Sequence, residues 1–142
     1  MDPGELAHEV AAAFDGVPPP LDAIAPHDCD ECWDLRDRLG GRPCRELDAE
    51  TRDAVRLDLP LLSDEAKQHY LPVWLLGAIE EPRSDYTSAL LFALDSDHRW
   101  EPSGGYSGAQ RRAIAHVLEL LIDHVEGGEA SQLERALERW SD

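Results

Sequence analysis

A chain of 142 residues that is 42% apolar and 30% charged is long enough to bury a core without covalent staples and too apolar to stay disordered. Its 30 acidic residues face 13 basic ones, a formal net charge of -17, which repels phosphate backbones and argues against direct nucleic-acid binding. No apolar run approaches the ~20 residues that cross a bilayer, so no membrane span is expected. A single helical domain over residues 1–142 is the expectation. Leu6, Val10, Ala13 and Phe14 recur at helical spacing between Pro3 and Gly16, which predicts a first amphipathic helix. The prolines that follow remove backbone donors and favour extended geometry, so residues 17–26 read as a stiff connector. Asp28 or Asp30 is placed to cap a second, short helix in which Cys32, Leu35 and Leu39 share a face, with Gly40-Gly41 as its exit.

Asp48 is the expected cap of a segment running to Arg56, closed by Pro60. Ser63 caps the next helix, with Asp64 and Glu65 set against its dipole. Pro72 predicts a kink or a restart there. Leu71 to Ile79 is apolar on every side, the pattern of a helix enclosed by others and the expected centre of the fold. Asp85 to Leu94 reads as a helix, and residues 95–107 as a polar, flexible loop. After Ser107, the residues Ile114, Val117, Leu118, Leu121, Ile122 and Val125 form the cleanest helical stripe in the chain. Gly127-Gly128 ends it, and Leu133, Ala136, Leu137 and Trp140 mark a last helix. No period-two segment suggests a strand and no repeat is present, so the expected fold is all-α, a compact bundle of about six to seven helices, several of them short.

The chemically specific segment is His27-Asp28-Cys29-Asp30-Glu31-Cys32. His27, Cys29 and Cys32 place an imidazole and two thiols within six residues, a spacing that can wrap one zinc ion. A closed tetrahedral site needs a fourth ligand, for which Cys44 and His69 are the candidates. With only three protein ligands the open position would hold water, and Glu31 or Asp28 would serve as base or orienting group. Cys29-Asp30-Glu31-Cys32 can also act as a redox dithiol, because a helix N-terminus stabilises thiolate. The neighbouring acids are expected to oppose this by raising the thiol pKa, and no thioredoxin-like βαβ pattern surrounds the motif. In the third alternative, Cys32 packs as a small hydrophobe and His27 hydrogen-bonds a helix end. His116 and His124 lack the spacing and the glutamate of a metalloprotease helix and are expected to be solvated.

The block His27-Asp28-Cys29-Asp30-Glu31-Cys32, followed by Leu59-Pro60-Leu61-Leu62-Ser63-x-Glu65-Ala66 and Tyr70-Leu71-Pro72, resembles a family of small bacterial proteins of unknown function. The resemblance covers roughly residues 14 to 125. It implies no activity; His27, Cys29 and Cys32 match its pattern, whereas Cys44 and His69 do not.

Charge is distributed unevenly. Residues 1–35 carry nine acids and no Lys or Arg, so the acidity concentrates around the cysteine segment. The functional expectation is an acidic helical module that docks a basic protein, in the manner of an inhibitor or immunity protein, with a His/Cys metal or structural site. The alternative is a small enzyme using a zinc centre or the Cys29/Cys32 dithiol, with Glu31 as general base. The N-terminus lacks the basic and apolar stretches of a secretory signal, and three cysteines with two of them three apart do not suggest a disulfide framework, so a cytoplasmic location is expected. Trp33, Trp74, Trp100 and Trp140 are many for this size; core packing is the commoner use of tryptophan, with an interface position for one of them as the alternative.

Overall fold

The computed structural model describes residues 1–20, 24–26, 29–95, 100 and 104–141. Seven α-helices carry the described chain, with no strand among the described residues: α1 (Pro3–Phe14), α2 (Asp30–Leu39), α3 (Ala49–Ala54), α4 (Asp64–Glu80), α5 (Asp85–Leu94), α6 (Gly108–Leu121) and α7 (Gly128–Trp140), with 3₁₀ turns at Cys44–Glu46 and Leu59–Leu61. The all-α expectation holds, several helices being short.

Most helix starts are set by side chains that accept otherwise unpaired backbone N–H groups. Asp2 accepts from Glu5 N–H at 3.3 Å, Asp48 from Thr51 N–H at 2.8 Å, and Ser63 from Ala66 N–H at 3.1 Å. At α6 the capping is reciprocal. Ser107 Oγ accepts from Gln110 N–H at 3.1 Å, and Gln110 Oε1 accepts from Ser107 N–H at 3.0 Å. Helix α2 ends at Gly40, whose φ of +54° lies in the left-handed region that glycine adopts without penalty.

Helix α4 is the centre of the molecule. It packs against α1, α5 and α6, while α6 also meets α1 and α7, and α7 meets α5. Tyr70, Leu71, Trp74, Leu75 and Ala78 are fully buried, and Val73 is buried too. Of the expected kink or restart at Pro72, the restart does not occur: α4 runs unbroken for 17 residues. Proline at 72 removes the N–H that would bond the Gln68 carbonyl, but the helix is pinned on both sides of the gap. Tyr70 Oη donates to the Arg42 carbonyl at 2.6 Å and Trp74 Nε1 to the Arg56 carbonyl at 2.8 Å. Tertiary packing overrides the local break.

The stripe on α6 meets the same core, with Ile114, Val117, Leu118 and Leu121 fully buried, but the helix ends at Leu121, short of Val125, and Ile122, expected in the same stripe, is exposed. Each buried side chain of the stripe stabilises the fold by about 1.5–3 kcal/mol relative to leaving it exposed. Helix α5 approaches α4 closely because Gly77 has no side chain: a Cβ there would stand 2.5 Å from Tyr86 Cγ. The connector also joins the core. Ile24 and Ala25 are buried, and the Ile24 carbonyl accepts from Ser63 N–H at 2.8 Å. Of the expected loop at 95–107, residues 96–99 and 101–103 lie outside the described residues. Asp95 takes two hydrogen bonds from Arg135, each 2.7 Å, and Trp100 is buried edge-on to Trp140 at 5.4 Å between ring centroids.

Candidate functional site

His27 and Asp28 lie outside the described residues, so the structure reports on the Cys29 to Cys32 half of the motif. Cys29 itself is the N-cap of α2: its Sγ accepts from Cys32 N–H at 3.4 Å, and Asp30 is the first helical residue. The cap is therefore Cys29 and not the expected Asp28 or Asp30, Asp30 lying inside the helix. The i, i+3 spacing then places the two cysteines together but in unlike surroundings. Cys29 is exposed, whereas Cys32 is fully buried with Leu35 and Leu39 on the inward face.

The electrostatics differ from those anticipated. Hydrogen bonds from the Cys32 side chain and then from its backbone N–H hold the Cys29 thiol below the usual thiol range. Glu31 acts both ways: a hydrogen bond from its backbone lowers the thiol pKa, and its carboxylate charge raises it as expected but is the weaker of the two. A charge in water near an exposed group is screened, while a hydrogen bond made directly to the sulfur is not. One helical turn further on, Trp33 is 59% exposed, the only tryptophan on the surface among the described residues, and the Arg36 guanidinium carbon stands 4.9 Å from its ring centroid. Trp33 follows Cys29 at i+4, so the two share the outer face of α2.

That face is acidic. Asp30, Glu31 and Asp34 are exposed. Burial, followed by repulsion from Glu31 and Asp34, raises the pKa of the nearby Asp58 carboxyl. Only part of this charge is offset, by Arg38, which pairs with Asp34 at 2.7 Å. Glu31 therefore sits among carboxylates at the mouth of the dithiol.

Cys44 and His69 are brought together, although 25 residues separate them. His69 Nε2 accepts from the backbone N–H of Cys44 at 2.9 Å, and Nδ1 lies 2.9 Å from the Val17 carbonyl, which makes Nδ1 the protonated nitrogen. Both ring nitrogens are thus engaged in tying the connector and the Cys44–Glu46 turn to α4. Burial lowers the His69 pKa and raises that of the Cys44 thiol. Among the described residues, no group of three or more His, Cys, Asp or Glu side chains is arranged to hold a metal ion, so Cys44 and His69 do not complete such a set with Cys29 and Cys32. His116 departs from the expectation of a solvated side chain: its Nδ1 stands 2.8 Å from Glu9 Oε2, joining α6 to α1.

A second feature was not foreseen. A groove of about 560 Å³ runs along α4 from His69 to Glu80, bounded by α1, the Cys44–Glu46 turn, α3 and Tyr86. Its walls come from segments far apart in sequence, which leaves no local pattern by which to find it.

Among the described residues, no helix is long and apolar enough to cross a membrane. No protein-family model, curated protein or solved structure matches the chain.

Proposed function

We propose that the chain is a thiol–disulfide exchange protein whose dithiol, Cys29 and Cys32, reacts with the disulfide of a partner protein bearing basic surface groups. The observation that carries this reading is the asymmetry of the pair: an exposed thiol, with its pKa lowered by the hydrogen bonds it accepts, stands in front of a buried one. Thiolate is the attacking species in such exchange.

In the reducing direction, Cys29 thiolate attacks one sulfur of the partner's disulfide. The partner's S–S bond breaks, a mixed disulfide forms through Cys29, and the released partner sulfur takes up a proton. Cys32 then loses its proton and attacks Cys29 Sγ. The mixed disulfide breaks, the partner leaves as a dithiol, and the chain retains a Cys29–Cys32 disulfide. Two electrons pass from the chain to the partner, and the reverse sequence oxidises a partner dithiol. Trp33 offers an aromatic contact beside the attacking sulfur, and Asp30, Glu31 and Asp34 steer basic groups toward it.

The test is a single-turnover assay of the reduced protein with a small disulfide-bonded peptide carrying lysines. One equivalent of peptide dithiol per chain is expected, with none from Cys29→Ser and an accumulated mixed disulfide from Cys32→Ala. Equal yields from the wild type and Cys29→Ser would overturn the reading. So would one stoichiometric zinc ion that shields both thiols from alkylation, which would make Cys29 and Cys32 metal ligands instead.

A further inference from the structure

The groove along α4 supports a second, independent assignment. Its volume of about 560 Å³ lies within the range of small-molecule sites, roughly 300–1,000 Å³. Its floor is apolar: Phe14 from α1 with Pro72, Val73 and Leu76 from α4. His69, Pro72, Val73, Leu76, Gly77 and Glu80 follow one another at alternating spacings of three and one, so one face of α4, some three turns long, lines the groove.

The two ends differ in charge. At the His69 end burial favours the neutral imidazole. At the other end Glu80 and Glu81 line the groove where α4 terminates, and no basic residue lies in the last turn of that helix. Carboxylates at a helix C-terminus are unfavourable for the helix itself, because they add to the partial negative charge of its last carbonyls. Neither side chain makes an ion pair or hydrogen bond with another described residue. Around the whole groove Asp15, Asp53, Glu80 and Glu81 outnumber Arg45 and Arg52. Tyr86 closes the same end, its ring packed on Gly77 and its Oη donating to Asp53 Oδ1 at 3.3 Å.

An apolar floor with an end where Asp53, Glu80 and Glu81 outnumber Arg52 fits a molecule with a hydrophobic body and a cationic head. We infer that the groove binds a small primary alkylamine or arylalkylamine, its ammonium group held by Glu80 and Glu81 and its hydrocarbon laid on Pro72, Val73, Leu76 and Phe14. An alkyl carboxylate of equal length is excluded by charge, and an alcohol of equal length loses the ionic contribution.

Calorimetric titration of the full chain with n-octylamine, 1-octanol and octanoate, all below micelle-forming concentrations, tests this. Octylammonium is expected to bind at one site at least tenfold more tightly than octanol, and octanoate to bind more weakly than octanol. Glu80→Gln combined with Glu81→Gln should reduce the amine to the affinity of octanol. Glu119→Gln combined with Asp123→Asn, which removes the same charge from the exposed end of α6 and the turn after it, should leave amine binding within twofold. Leu76→Trp should abolish binding by filling the floor, with unchanged helical circular dichroism showing that it folds. No saturable amine binding, octanoate binding as tight as the amine, or equal losses in the two double variants would overturn the assignment. The last outcome would mean general attraction to an acidic chain. None of these results depends on Cys29 or Cys32, so the groove and the dithiol stand or fall separately.

Discussion

Cys29 reaches its state through one atom, the sulfur that accepts from the side chain and the backbone of Cys32. Since its pKa is lowered, the thiolate fraction at neutral pH exceeds that of an ordinary cysteine. The rate of Cys29 alkylation plotted against pH should therefore show a midpoint below that of a free thiol. Cys32→Ala deletes the side-chain donor and keeps the backbone one, so the midpoint should move up; an unchanged midpoint would show that the Cys32 thiol does not set it. His69 offers a second titration. Burial lowers its pKa from the ordinary value of 6.5, so the folded chain binds fewer protons than the unfolded one in that range. Its contribution to stability is present above about pH 6.5 and is lost as pH falls through the lowered folded value. Protonation also converts the acceptor of the Cys44 N–H into a donor, forfeiting a hydrogen bond worth about 0.5–1.5 kcal/mol. Denaturant melts at pH 7 and pH 5 should differ less for His69→Gln than for the wild type.

At the scale of the elements, the caps at Asp48, Ser63 and Ser107 were legible because each is an oxygen-bearing residue just ahead of a helical pattern. The cap of α2 was not. Between two aspartates a cysteine is the weaker acceptor by type, and only the three-dimensional start of the helix selects it. The restart expected at Pro72 is absent for a related reason: the local rule is sound, but Tyr70 and Trp74 hold α4 through contacts 28 and 18 residues away. Opposed effects meet again at Gly77. Helix propensity alone favours alanine over glycine by about 0.5–1 kcal/mol in a helix interior. A Cβ at 2.5 Å from the Tyr86 ring instead forces α5 away, at about 1–3 kcal/mol. Gly77→Ala should therefore lower the unfolding free energy in spite of its better propensity, and a rise would show that Tyr86 swings aside at little cost.

For the molecule as a whole, composition and periodicity were enough to place α4 at the centre and the α6 stripe against it, because burial of apolar faces is written locally. The pairing of His69 with the Cys44 amide and the walls of the groove were not legible, since each joins segments that only tertiary packing brings together. Net charge was legible as a number, and its placement beside the dithiol gives it a consequence. Exchange with a lysine-bearing disulfide should slow several-fold between low and physiological salt as the Debye length shrinks from ~30 Å to ~8 Å. Exchange with a glutamate-bearing one should quicken over the same interval.

The most direct measurement is peptide mapping by mass spectrometry of protein purified without an affinity metal and equilibrated with oxidised glutathione. Loss of two hydrogens within the peptide spanning Cys29 and Cys32, with Cys44 still a free thiol, is the predicted result. A glutathione adduct that persists on Cys29 with Cys32 unreacted would contradict it, because the buried thiol would then not resolve the mixed disulfide.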